Sequence, residues 1–141
     1  MKLNTSSTVI WAASIEDRPA GLAEKLEPLS RAGANLQFIL ARRAPETPGK
    51  GVVFVAPLKG VRQCRAAVNA GFVRANSLHA VRIEGADDPG LATRITSLLG
   101  HAAINLRGFS ASVIGRRFVA YLAFDDVDDV KNAMKVLEEL G

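Results

Sequence analysis

A small set of polar residues and glycines in this 141-residue chain is placed to hold a charged ligand, and it occurs twice. Asp17 lies in EDRPAGL (residues 16–22), and 70 positions later Asp87 lies in DDPGLA (87–92). Asn35 and Asn105 keep the same separation, Gly21 follows Pro19 by two positions, and Gly90 follows Pro89 directly. An acidic-x-Pro phrase reads as the start of a helix, where free N–H groups and a partial positive charge can receive a carboxylate. Glycine lets a ligand approach the backbone closely. An aspartate can receive an ammonium group, and an asparagine both donates and accepts. Together these residues suit reversible binding of a zwitterion. Each also has a plain structural use: Asp17 and Asp87 as helix caps, Asn35 and Asn105 as turn residues, and the glycines as parts of the turn alone.

The rest of the sequence points away from catalysis and cofactors. His79 falls in a strand and His101 near a helix end, with no metal-ligand spacing between them. Cys64, the lone cysteine, lies on a predicted helix among alanines and reads as a small buried residue. PGKG (48–51) lacks the full phosphate-loop pattern and precedes a strand. DDVDD (125–129) is acidic but lacks the spacing of a calcium loop. We therefore expect no enzyme, no metal and no cofactor.

These residues must be positioned by elements that the apolar pattern locates. The chain is 48% hydrophobic and 23% charged, which is globular composition. No apolar run approaches the roughly 20 residues of a membrane span, and the N-terminal apolar patch is too short for a signal peptide, so a cytoplasmic protein is expected. Residues 1–70 carry ten Lys/Arg against five Asp/Glu, and residues 71–141 eight against nine. Strands are expected at 8–15 and 78–83, each followed by a helix. Leu22, Leu26 and Leu29 stripe the first helix; Leu91, Ile95, Leu98 and Ala102 stripe the second. Gly33 closes the first helix, and Pro28 predicts a kink inside it. Two further strands follow in each half, within 35–44 and 51–58, then 104–114 and 117–124. A last helix comes next, at 61–70 and at 126–140, the latter striped by Val127, Val130, Met134 and Leu137. A fourth strand near 72–76 completes the first half, and the second half ends with little room for one. Aligned at the same offset, Leu29, Ala32 and Leu36 meet Leu99, Ala102 and Leu106. The expected fold class is α+β: two tandem ferredoxin-like βαββαβ units, antiparallel sheets with helices on one face, spanning residues 1–76 and 77–141.

At EDRPAGLAEKLEPLSRAGANL and GADDPGLATRITSLLGHAAINL the chain resembles the ACT domain family, whose phrase is Asp-Arg-Pro-Gly, then leucines, then Ala-Gly-apolar-Asn-apolar. The likeness extends over nearly the whole chain as two copies. It departs at Ala20 and Ala103, where glycine is usual, and at Asp88, where arginine is usual. The resemblance implies a regulatory module that binds an amino acid or similar small metabolite where two ACT units meet. One site would be lined by Asp17, Arg18, Ala20, Gly21, Asn35 and Leu36, and its counterpart by Asp87, Gly90, Leu91, Asn105 and Leu106. The expected partners are this ligand and a second copy in a homodimer. The alternative reading is a regulatory subunit of a separate amino-acid biosynthetic enzyme. A less favoured alternative is an RNA-binding ferredoxin-like protein, suggested by Phe118-Val119-x-Tyr121; few aromatics are available for a base-stacking sheet.

Overall fold

The computed structural model describes residues 3–140, and every side chain among them except those of 75–78. In chain order the elements are β1 (Leu3–Glu16), α1 (Gly21–Arg31), β2 (Phe38–Arg43), β3 (Lys50–Ala56), α2 (Gly60–Asn69), β4 (Val73–Ala86), α3 (Leu91–His101), β5 (Gly108–Ile114), β6 (Arg117–Phe124) and α4 (Val127–Leu137), which runs into a 3₁₀ turn at Glu138–Leu140. The class is α+β, with antiparallel strand pairing of ferredoxin-like pattern. Two compact units divide the chain: Val9–Ala75, and Met1–Thr8 together with Asn76–Gly141.

In the first unit β3 pairs antiparallel with both β1 and β2. Alternate residues point to one face, so Trp11 and Ala13 of β1 and Val53 and Val55 of β3 meet Leu29 of α1 and Ala67 of α2 in a core closed by Phe72. Leu22 and Leu26 pack partly buried beside it. The helix α1 continues through Pro28 to Arg31 and ends at Gly33, whose φ is +84°. Cys64 is half-buried at the edge of this core. The opening residues 73–75 of β4 complete the unit, where a fourth strand was expected.

In the second unit β6 pairs antiparallel with β4 and β5. Val81, Ile83, Phe118, Ala120, Leu122 and Phe124 face Leu91, Ile95 and Leu99 of α3 and Val130, Ala133 and Leu137 of α4. The expected α3 stripe is corrected here: Leu99 is buried, Leu98 is half-buried and Ala102 is exposed. In α4 Ala133 is fully buried, whereas Val127 at the first turn is exposed.

A strand of the second half comes from residues ahead of the first unit. Residues 3–8 of β1 belong to this unit, next to β4, and Leu3 enters the core with Val81 and Ile83. The division expected at 1–76 and 77–141 places these residues with the first half instead. The polar run NTSS hides the strand from a hydrophobicity pattern, since Leu3 is its one large apolar residue. Among the described residues no helix is long and apolar enough to cross a membrane.

Candidate functional site

The turn between β1 and α1 is held by backbone bonds. Arg18 N–H donates to Glu16 O (2.9 Å) and Gly21 N–H to Arg18 O (3.0 Å). Ala20 takes a left-handed conformation (φ 69°), and α1 begins one residue later. This overturns the expectation that Pro19 opens the helix and Asp17 caps it: no side chain caps α1, and Asp17 is turned elsewhere. The turn before α3 is built alike, with Leu91 N–H donating to Asp88 O (3.1 Å) and Gly90 at φ 78°; Asp87 is no cap either. Glycine is demanded at residue 21 by close approach, because a Cβ there would lie 2.1 Å from the carbonyl oxygen of Glu16. The corresponding residue of the second unit, Leu91, is instead a core side chain.

Beside the first turn, strand register gathers charge. Glu16 stands opposite Lys50 and Ile15 opposite Gly51, while Arg43 and Arg42 stand opposite Gly51 and Val52. The result is a cleft of about 240 Å³, lined by Ile15, Leu22, Ala41 and Gly51 and by Glu16, Asp17, Arg18, Arg42 and Arg43. Asp17 Oδ2 accepts from Arg43 Nε at 2.6 Å, and Glu16 accepts from Lys50 at 2.5 Å. Arg18 makes a forked pair with Glu24 (3.1 and 2.6 Å). The hydrogen bond and charge of Lys50 hold the Glu16 carboxyl below its ordinary pKa, and Glu24 raises that of Arg18. Arg42 donates only to the backbone oxygen of Arg43 (3.2 Å), so its guanidinium has no carboxylate partner among the described residues.

The second unit does not repeat this cleft. At the position of Ile15 it has Gly85, and the residue opposite Gly85 is Phe118. Bulk has changed strands: Ile15 faces Gly51 in one unit, Gly85 faces Phe118 in the other. Phe118 is a core side chain where Gly51 leaves room. By the same register Ser112 and Val113 stand where the first unit has Arg42 and Arg43.

Of the residues expected at the first site, the structure brings Asp17 and Arg18 to the cleft, with Ala20 and Gly21 in the turn that shapes it. Asn35 is exposed and Leu36 half-buried past the far end of α1, about 16 Å of helix away. In the second unit Asp87 and Gly90 are exposed in the turn, Leu91 is buried, and Asn105 and Leu106 lie past the end of α3. Asp87 N–H donates to Arg116 O at 2.8 Å, and Asp88, not Asp87, pairs with an arginine, Arg94. Arg42 and Arg43 were missed by sequence reasoning. Their signal was a pair of charges closing an apolar strand, and only the register with β3 aims them at the turn. Phe118 and Tyr121 of the RNA-like phrase are buried and unavailable for stacking on bases. Among the described residues no group of His, Cys, Asp or Glu is placed to hold a metal ion.

Residues 79–141 match the family model described as the ACT domain. No curated protein matches the chain. Among solved structures, the chain is similar to protein BT0572 from Bacteroides thetaiotaomicron, with 15% identity, a TM-score of 0.77, and 96% of this chain and 90% of that one covered. It is similar to the ligand-free regulatory subunit of aspartate kinase from Thermus thermophilus, with 12% identity, a TM-score of 0.65, and 97% and 95% covered. It is also similar to the regulatory subunit of aspartate kinase from Thermus flavus, with 13% identity, a TM-score of 0.60, and 98% and 94% covered. At these identities the likeness is one of fold.

Proposed function

We propose that the protein is a non-catalytic regulator that binds an amino acid or similar small metabolite through a pair of ACT units, with the cleft beside Asp17 as the charged receiving site. The observation that carries this reading is Arg42: a guanidinium without a carboxylate partner, in a cleft that also presents Asp17 and Glu16. A ligand carboxylate would pair with Arg42, a bond of the strong, charge-assisted kind. Its ammonium would meet Asp17 or Glu16. Asn35 and Asn105 would take part only from a neighbouring ACT unit, since each stands beyond the far end of its own helix. The counterpart at Asp87, Gly90, Leu91, Asn105 and Leu106 would take a less polar ligand or none, given Ser112 and Val113 in place of the two arginines.

A thermal-shift panel of the standard amino acids on the full chain tests this. A ligand at about one hundred times its Kd adds about 2.7 kcal/mol of stability. Arg42→Ala should lose the shift while its own melting stays near wild type. A shift retained in that variant would place the ligand elsewhere.

A second reading, a regulatory subunit that grips a separate biosynthetic enzyme, is favoured by the fold-alike regulatory subunits of aspartate kinase. It expects a stoichiometric enzyme on affinity resin loaded with native lysate, with activity that responds to the same amino acid. Homodimerisation and a cytoplasmic address belong to the same proposal.

A further inference from the structure

In the first unit α1 and α2 enclose a shallow groove of about 550 Å³. Pro28, Ala32 and Ala66 are its more buried residues, and the exposed Arg31, Arg62 and Arg65 surround them. Arg31 pairs with Glu27. Arg62 donates to the backbone oxygen of Arg31 at 3.0 Å, which leaves its charge uncompensated. Neither Arg62 nor Arg65 has a carboxylate partner among the described residues, and α2 contains no acidic residue at all. Val61, on the same rim, is 72% exposed. The groove thus offers an apolar seat ringed by positive charge. It fits an apolar side chain flanked by carboxylates.

This chain carries such a segment. Asp125, Asp126, Asp128 and Asp129 bracket Val127 at the start of α4, and Val127 is 46% exposed. Among the described residues one distant arginine attends these four acids, Arg107 at 3.6 Å from Asp125. Asp126 is occupied in capping the helix, accepting from Asp129 N–H at 2.8 Å. We infer that a second copy of this chain seats its Asp125–Asp129 turn in the α1–α2 groove, Val127 against the alanines and its carboxylates against Arg62 and Arg65. The contact joins unlike surfaces, so it closes into a ring of copies or extends head to tail. Its attraction is between exposed charges and is therefore screened by salt.

Sedimentation of the full chain at low and high salt tests the contact. Raising NaCl from about 50 to about 500 mM shortens the screening distance roughly threefold and should weaken association about tenfold or more. Two double variants, Arg62→Glu with Arg65→Glu, and Asp128→Arg with Asp129→Arg, should each lose the salt-sensitive species when alone. Mixed, they should recover it, because the unaltered groove of one meets the unaltered turn of the other. Recovery on mixing also shows that both variants are folded. Neither touches the amino-acid cleft, so any ligand-induced thermal shift should persist in both. Salt-independent sedimentation of the wild type, or no recovery on mixing, would overturn the inference.

Discussion

Ile15 stands opposite Gly51, and its Cγ1 would lie 2.9 Å from a Cβ built on that glycine. The cleft exists because these two residues share one side chain's worth of space. In Gly51→Ala the new methyl would also press on Arg42 O at 2.8 Å, so a loss of about 1–3 kcal/mol is expected. The pair Ile15→Gly with Gly51→Phe imports the arrangement of Gly85 and Phe118. Ile15→Gly relieves the side-chain contact but not the one with Arg42 O, so the pair should keep part of the Gly51→Ala loss, and it should abolish any amino-acid-induced thermal shift. A pair variant that still responds to ligand would remove the cleft from consideration.

Arg18 and Glu24 are paired at 2.6 Å in the first unit, and Asp88 and Arg94 at 2.6 Å in the second, with the signs exchanged. A bond that survives reversal serves the entry turn whichever way it is charged. Being exposed, each pair should contribute about 0–1 kcal/mol. Arg18→Asp or Glu24→Arg alone should cost that much, and the double variant should regain it. Urea denaturation of the four proteins in the cycle measures the coupling.

Two alanines occupy left-handed backbone, Ala20 at φ 69° and Ala103 at φ 58°, where the other unit has Gly90 and Gly33. The conformation costs a residue with Cβ about 1–2 kcal/mol, part of which glycine returns through its freer unfolded chain. Ala20→Gly and Ala103→Gly should therefore each stabilise the protein by about 0.5–1 kcal/mol. Gly21→Ala should act in the opposite direction and more strongly, because the Glu16 carbonyl blocks the added methyl. Chemical denaturation midpoints distinguish the three.

Glu84 receives Arg82 Nη1 at 2.7 Å and Arg117 Nη2 at 3.0 Å. Hydrogen bonds from Arg82 and then Arg117 hold its carboxyl below its ordinary value of 4.5. A depressed carboxylate contributes stability above its unfolded pKa and loses it as pH falls through the folded one. Glu84→Gln should therefore be less stable than wild type near pH 7, and the gap should close below about pH 4. Urea midpoints across that range check the convergence; a constant gap would assign the loss to packing.

The helices and inner strands were legible because their apolar residues recur at periods of three to four and of two, and because EDRPAGL and DDPGLA mark both helix entries. Hidden features were those in which one residue's neighbour is far away in sequence. NTSS reads as polar coil until Leu3 is set beside Val81. Leu98 and Leu99 are adjacent, and only packing decides which is buried. Asp17 looked like a cap until register brought Arg43 to it. The contrast between the two units also rests on register, since Gly51 and Phe118 become comparable only through Ile15 and Gly85.

Residues 3–8 belong with a unit whose other strands begin beyond residue 75. During synthesis at about 5–20 residues per second, that segment therefore leaves the ribosome on the order of several seconds before its partners exist. Its sequence, NTSST after Leu3, has little to offer a premature neighbour while it waits. Residues 3–8 thus close a unit whose other strands are made later, and the first unit can assemble before those strands exist.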